Sequence, residues 1–210
     1  ISDLLSALLN SIEALNYVSR NLHPANLGSL VTGVENVDAA LRRELKHFRN
    51  QKWPEHLSCF ANQMITAADA VSSGFDSLRD SACAADGIFL AYRGIRQNAK
   101  AFAAIYPAAT TLPPINRFFL NEAGRVDEAL VEKLANADSG RENVGVIHAD
   151  NERGCRGGFS MYVPEYYDEA KSYPLIMALH GGSGHGRDFL WTWLREARSR
   201  GAILITPTSL

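Results

Sequence analysis

Residues 180–188 read His-Gly-Gly-Ser-Gly-His-Gly-Arg-Asp and follow an uncharged apolar run at 175–179. Four glycines in six residues leave backbone N–H groups that no side chain shields, so a ligand can approach the chain closely. Exposed amides of this kind suit a negatively charged oxygen. Three uses compete: a phosphate-binding loop, an oxyanion-stabilising loop, and a tight strand-to-helix turn with no ligand.

The phosphate use fits poorly. Gly181 to Gly186 has the first-to-last glycine spacing of a P-loop, but that loop continues with Lys and Ser/Thr, and here Arg187-Asp188 stands instead. Asp188 would place an anion at the helix N-terminus, where phosphate should sit. A dinucleotide fingerprint needs glycine at Arg187 and usually follows the first strand of its domain, whereas two strand-like segments precede this one. A plain turn needs fewer glycines than the four present. The oxyanion use remains: preorganised amides facing a tetrahedral intermediate, each worth roughly 3–4 kcal/mol.

The elements that must position this loop follow from periodicity. Residues 143–149 and 158–163 alternate as strands, and the continuous apolar run at 175–179 suits a parallel strand covered on both faces. Residues 188–199 place Phe189, Leu190, Trp193, Leu194 and Ala197 on one side of a helix, and Gly201 ends it as a C-cap. Residues 202–206 form the next apolar strand. Strand, glycine loop, helix and strand make a βαβ unit. Residues 126–134 read as one short helix.

The first half has helical spacing instead. Leu4, Leu8, Ile12 and Leu15 define a helix with Ser2 and Asp3 as caps; residues 27–48 and 57–78 define two more with identical apolar spacing. Ile88, Tyr92, Ile95, Ala99, Phe102 and Tyr106 define a fourth. Short connections between long amphipathic helices predict an antiparallel four-helix bundle over 1–106 rather than a solenoid. Residues 107–116 are a Pro- and Thr-rich linker, non-helical through Pro113-Pro114, and 117–210 is the α/β part. Glu44 and His47 match half of a di-iron Glu-x-x-His pair, but no second copy exists, so a solvated helix face is expected.

Composition is that of an ordinary globular chain: 210 residues, 46% apolar, 21% charged, net charge -2. Such balance gives no electrostatic case for nucleic acid, and no apolar run is long enough for a membrane span. Three cysteines, Cys59, Cys83 and Cys155, match no zinc pattern and are expected as buried or half-buried free thiols in a cytoplasmic, reducing setting; a Cys59–Cys83 bridge or a reactive Cys155 is the alternative. The first residues lack the make-up of a secretory signal, and a chain that starts at Ile1 is expected to be an excised or processed piece.

Three stretches together resemble the opening of the serine esterases of the α/β-hydrolase superfamily, nearest the phospholipase/carboxylesterase group: Arg156-Gly-Gly-Phe-Ser-Met-Tyr-Val-Pro-Glu-Tyr-Tyr167, Tyr173-Pro-Leu-Ile-Met-Ala-Leu-His-Gly-Gly182, and Ala202-Ile-Leu-Ile-Thr-Pro207. The likeness covers about residues 143–210 and leaves the helical half without a named relative. It implies that Gly182 offers its backbone N–H to the oxyanion, with Ser183 as the alternative donor, while His180 is structural and His185 a solvated loop residue. No metal or cofactor is implied, and the substrate is a small-molecule ester.

The sequence departs from that family at the nucleophile. It has no Gly-x-Ser-x-Gly elbow, and Ser183 precedes the place where one would stand. A triad needs all three members in contact. The fold class expected is therefore α/β: an N-terminal helical bundle followed by an incomplete α/β-hydrolase sheet. The rest of the hydrolase domain would supply nucleophile, acid and base. The bundle would cap the active site or join a homo-oligomer. A non-catalytic interaction protein with a vestigial hydrolase segment is the rival reading, and a nucleotide-binding loop protein a less favoured one.

Overall fold

A computed structural model describes every residue except Ser183, Ser209 and Leu210. The chain divides into two compact units, Ile1–Ile105 and Tyr106–Leu210. It is a mixed helix-and-sheet protein: a helical region first, then a four-stranded sheet with helices. Among the described residues, no helix is long and apolar enough to cross a membrane.

The first unit contains α1 (Ser2–Asn21), α2 (Leu27–Arg49), α3 (Glu55–Ser81), α4 (Gly87–Ile95) and α5 (Gln97–Ile105). The apolar stripes of the first three expected helices supply its core, with Leu8, Ile12, Leu15, Leu41, Met64, Val71 and Leu78 buried; of the fourth stripe Ala99 and Phe102 are buried, but Tyr92 is 51% exposed. The expected fourth helix is two shorter ones, which break at Arg96 and both pack on α3. The expected caps of α1 do not form, because the N-cap position falls on Ile1. Buried Asp38 takes Arg42 at 2.8 Å and Arg79 at 2.5 Å, and both arginines also reach Asp76, which ties α2 to α3.

The second unit begins with α6 (Pro113–Phe118), α7 (Glu122–Val126) and α8 (Glu128–Ala135). Two expectations fail here. Pro113 and Pro114 open α6 instead of excluding a helix, because the first turn has no internal acceptor for the N–H that proline lacks. The single helix expected at 126–134 is α7 plus α8, split where the Asp127 carboxylate accepts from Leu130 N and caps a new start.

The sheet holds β1 (Gly145–Ala149), β2 (Phe159–Val163), β3 (Leu175–Met177) and β4 (Ile203–Pro207) in the order β1-β2-β4-β3. β1 and β4 lie antiparallel to β2; β3 lies parallel to β4. Helix α9 (Gly186–Arg200) joins β3 to β4 and packs on β2 and β4. The register places Tyr162 beside Leu204, both buried, so α9 covers their face with Leu190, Leu194 and Ala197. The neighbouring positions Met161, Ile205 and Met177 point to the opposite face.

β3 departs from the covered parallel strand that was expected. It is an edge strand, and Leu175, Met177 and Leu179 are 66%, 60% and 70% exposed. The three cysteines are also exposed and free rather than buried, so no Cys59–Cys83 bridge exists.

A buried ion pair fixes the other end of α9. Arg198 Nε donates to Glu165 Oε1 at 2.9 Å, with the two side chains 0% and 2% exposed. The Tyr106 and Tyr162 hydroxyls donate to the same carboxylate at 2.9 and 2.7 Å, and Arg198 Nη1 donates to Asn116 O at 2.9 Å. Burial first, then the Glu165 charge, pushes both phenols well above their usual range, so they stay protonated as donors. Glu165→Ala leaves a buried guanidinium unpaired and is expected to cost about 3–5 kcal/mol. Urea unfolding, followed through hydrogen exchange of the β4 amides, measures it.

Candidate functional site

The glycine loop leaves β3, turns, and enters α9. Gly184 N donates to Gly181 O at 2.8 Å, closing a four-residue turn. His180, half-buried at the strand end, bonds Gly181 O through Nδ1 at 2.8 Å and stands edge-on to the Phe189 ring. His185 is the N-cap of α9: its Nδ1 accepts from Arg187 N at 3.2 Å, while Asp188 N and Phe189 N donate to its carbonyl. Gly186 N donates to Thr208 Oγ1 at 3.0 Å.

These bonds sort the amides. Those of Gly184, Gly186, Arg187, Asp188 and Phe189 are all engaged within the protein. The N-terminus of α9 is thus committed to its own cap, and Asp188 sits in its first turn. That is the opposite of a phosphate-cradling helix start.

Packing sorts the glycines the same way. A Cβ on Gly186 would lie 2.2 Å from Thr206 O, and one on Gly184 would lie 2.7 Å from the His180 side chain. Both must be glycine for the loop to close. Gly181 and Gly182 are exposed, and a Cβ on either would meet nothing within 4 Å. Neither has a positive φ. Among the described residues, nothing in packing or backbone requires glycine at either position. Of the two expected oxyanion donors, Gly182 is exposed, and Ser183 lies outside the described residues.

A polar network that sequence reasoning missed supports the loop. Asn151 Nδ2 donates to Ser160 Oγ at 2.7 Å, and Thr208 Oγ1 donates to Asn151 Oδ1 at 2.8 Å. Thr206 Oγ1 donates to Gly186 O at 2.9 Å and to Ser160 O at 3.1 Å. His148 Nδ1 lies 2.7 Å from Ser160 Oγ. Ser160 Oγ accepts from Asn151 and shares a hydrogen bond with His148 Nδ1 whose direction depends on the imidazole tautomer. Ser160 is completely buried, which makes it part of the scaffold rather than a nucleophile open to substrate. The only sequence trace of this network was polar residues at buried-face positions of strands; their partners depend on register.

The segment between β1 and β2 closes over the helix start. His185 Nε2 donates to Glu152 O at 3.1 Å and Cys155 O at 3.2 Å. Arg187 pairs with Glu152 at 3.2 Å and Arg153 with Asp188 at 2.5 Å. His185 is thus a bonded cap rather than a solvated loop histidine. Glu44 and His47 lie on the half-buried to exposed surface of α2.

Compared with family models, with curated proteins and with solved structures, the chain matches none.

Two predictions follow from this geometry. Gly182→Ala should change stability by less than about 0.5 kcal/mol, whereas Gly186→Ala should destabilise by about 1–3 kcal/mol through overpacking against β4; denaturant unfolding of the two variants separates them. His148 is lowered from 6.5 to about 4, by burial first and then by Arg187 and Arg153. The unfolded chain binds a proton there before the folded one does, so stability falls as pH drops from 6.5 toward about 4. His148→Gln should flatten that slope in unfolding curves taken across the interval.

Proposed function

We propose that this chain supplies the oxyanion loop of a serine-dependent carboxylic ester hydrolase, with Gly182 N–H as a donor and Ser183 N–H as its alternative. The observation that carries the reading is the division of the loop glycines. Gly184 and Gly186 are demanded by packing, while Gly181-Gly182 stands open between a third strand and a helix. That is the place from which a strand–helix loop contributes an oxyanion donor in α/β-hydrolases. The resemblance of residues 156–182 and 202–207 to serine esterases points the same way.

No Gly-x-Ser-x-Gly is present. The proposal therefore assigns nucleophile, acid and base to polypeptide outside these residues. In the reaction, that serine attacks the ester carbonyl, its histidine takes the proton and returns it to the leaving alcohol, and Gly182 N–H holds the carbonyl oxygen as it gains charge. A second reading, a non-catalytic interaction protein, draws on the exposed apolar edge of Leu175, Met177 and Leu179.

A fluorophosphonate probe applied to the full-length gene product separates the two. The esterase reading expects one labelled serine outside this chain and no label on the 210-residue chain itself. It also expects Gly182→Pro, which deletes the N–H, to lower kcat by about 100- to 1,000-fold while Gly182→Ala does not. Absence of any labelled serine defeats it.

A further inference from the structure

Helices α4 and α5 turn one side to α3 and the other to solvent. Ala91, Ala99, Ala101, Phe102 and Ile105 are buried on the inner side. A Cβ on Gly94 would lie 2.7 Å from Gly74 O, and one on Gly74 would lie 3.0 Å from Gly94 O. The backbones of α3 and α4 therefore cross so closely that α4 cannot roll about its axis without a clash. That fixes which residues face outward.

The outward positions are Phe89, Tyr92, Arg93, Arg96 and Lys100, all exposed. Successive steps of three, one, three and four residues keep them on one helical stripe, about 16 Å long at the usual rise per residue. Phe89 is 73% exposed and Tyr92 51%. No acid interrupts the cations: between Asp86, at the N-cap of α4, and Glu122 the sequence has neither Asp nor Glu. A chain of net charge -2 thus gathers three positive charges beside two exposed aromatic rings. Arg96 also interacts within the protein, so Arg93 and Lys100 are the charges that substitution removes most cleanly.

We propose that this stripe docks the helical unit on a bilayer surface with anionic headgroups. Aromatic rings settle at the level of the headgroups, with the apolar body below and the polar edge in water. Lysine and arginine beside them meet the negative surface potential of the lipid. Charge complementarity selects this occupant. A second copy of the chain would bring two stripes of like charge together. Single-stranded nucleic acid is bound along positive grooves, whereas this is the convex outer side of a helix pair. A flat, deformable, anionic surface suits such a face. The contact lies on the surface, needs no spanning helix, and holds whether or not the glycine loop serves an esterase.

Co-sedimentation of the 210-residue chain with lipid vesicles tests the docking without any activity. Vesicles of phosphatidylcholine mixed with phosphatidylserine should take up the chain, pure phosphatidylcholine far less, and added salt should weaken the uptake. The double variant Arg93→Gln/Lys100→Gln should bind the mixed vesicles about 25-fold more weakly, at roughly fivefold per cation. Phe89→Ser/Tyr92→Ser should also lose uptake, including the part that survives added salt. A control on exposed positions of α2, Arg43→Gln/Lys46→Gln, removes the same charge and should leave uptake unchanged. All three variants change exposed side chains, and circular dichroism checks that each is folded. The proposal is overturned if phosphatidylserine does not raise uptake, if the α2 control loses as much as the stripe variant, if the aromatic variant binds like the parent chain, or if single-stranded RNA captures the chain and the vesicles do not.

Discussion

The Arg198–Glu165 ion pair is the constraint on which the α/β unit depends. Two full charges removed from water gain little net stability, since desolvation offsets most of their attraction. What the pair supplies is definition. Its carboxylate accepts from Arg198, Tyr106 and Tyr162 at once, and the guanidinium also holds Asn116 O. Four separate chain segments therefore meet at one point with no freedom to slide. Any shift of α9 along its axis would strand a charge in the core. Helix α9 spans about 22 Å at the usual rise per residue, so fixing its last turn also fixes the height of its first turn, where the glycine loop arrives.

The loop is then defined from both sides by unequal means. On the helix side, every amide from Gly186 to Phe189 has a partner within the protein, and Gly186 lies so close to β4 that no side chain fits. On the strand side, the loop leaves an edge strand with three exposed apolar side chains. Hydrogen bonding among the described residues is thus concentrated at the helix end of the loop.

Much of this was legible in the residues. The apolar run at 175–179 next to a glycine loop located a strand and the start of α9, and Gly201 marked the end of that helix with φ of 62°. The apolar stripes of the first three expected helices named most of the first unit's core, while Tyr92 of the fourth is exposed. Other features were not legible, for reasons that are physical. Pro113 and Pro114 look like helix breakers in isolation; only their place in a first turn makes them compatible with α6. Asp127 looks like one more polar residue of a helix face, but its carboxylate starts a new helix. The network of His148, Asn151, Ser160 and Thr208 joins residues up to 57 apart in sequence. It exists only because β2 lies between β1 and β4 in one particular register.

The glycines show why composition alone overstates a site. Four of them in one loop suggest a single purpose, close approach of a ligand. Two serve the protein's own packing, since Gly184 yields to His180 and Gly186 to the β4 backbone. For Gly181 and Gly182 no such reason is found among the described residues. A glycine that nothing nearby requires gives up chain entropy on folding without structural return. Of the six loop residues, packing thus accounts for Gly184 and Gly186, with His180 against the one and the β4 backbone against the other, while His185 caps the helix that follows.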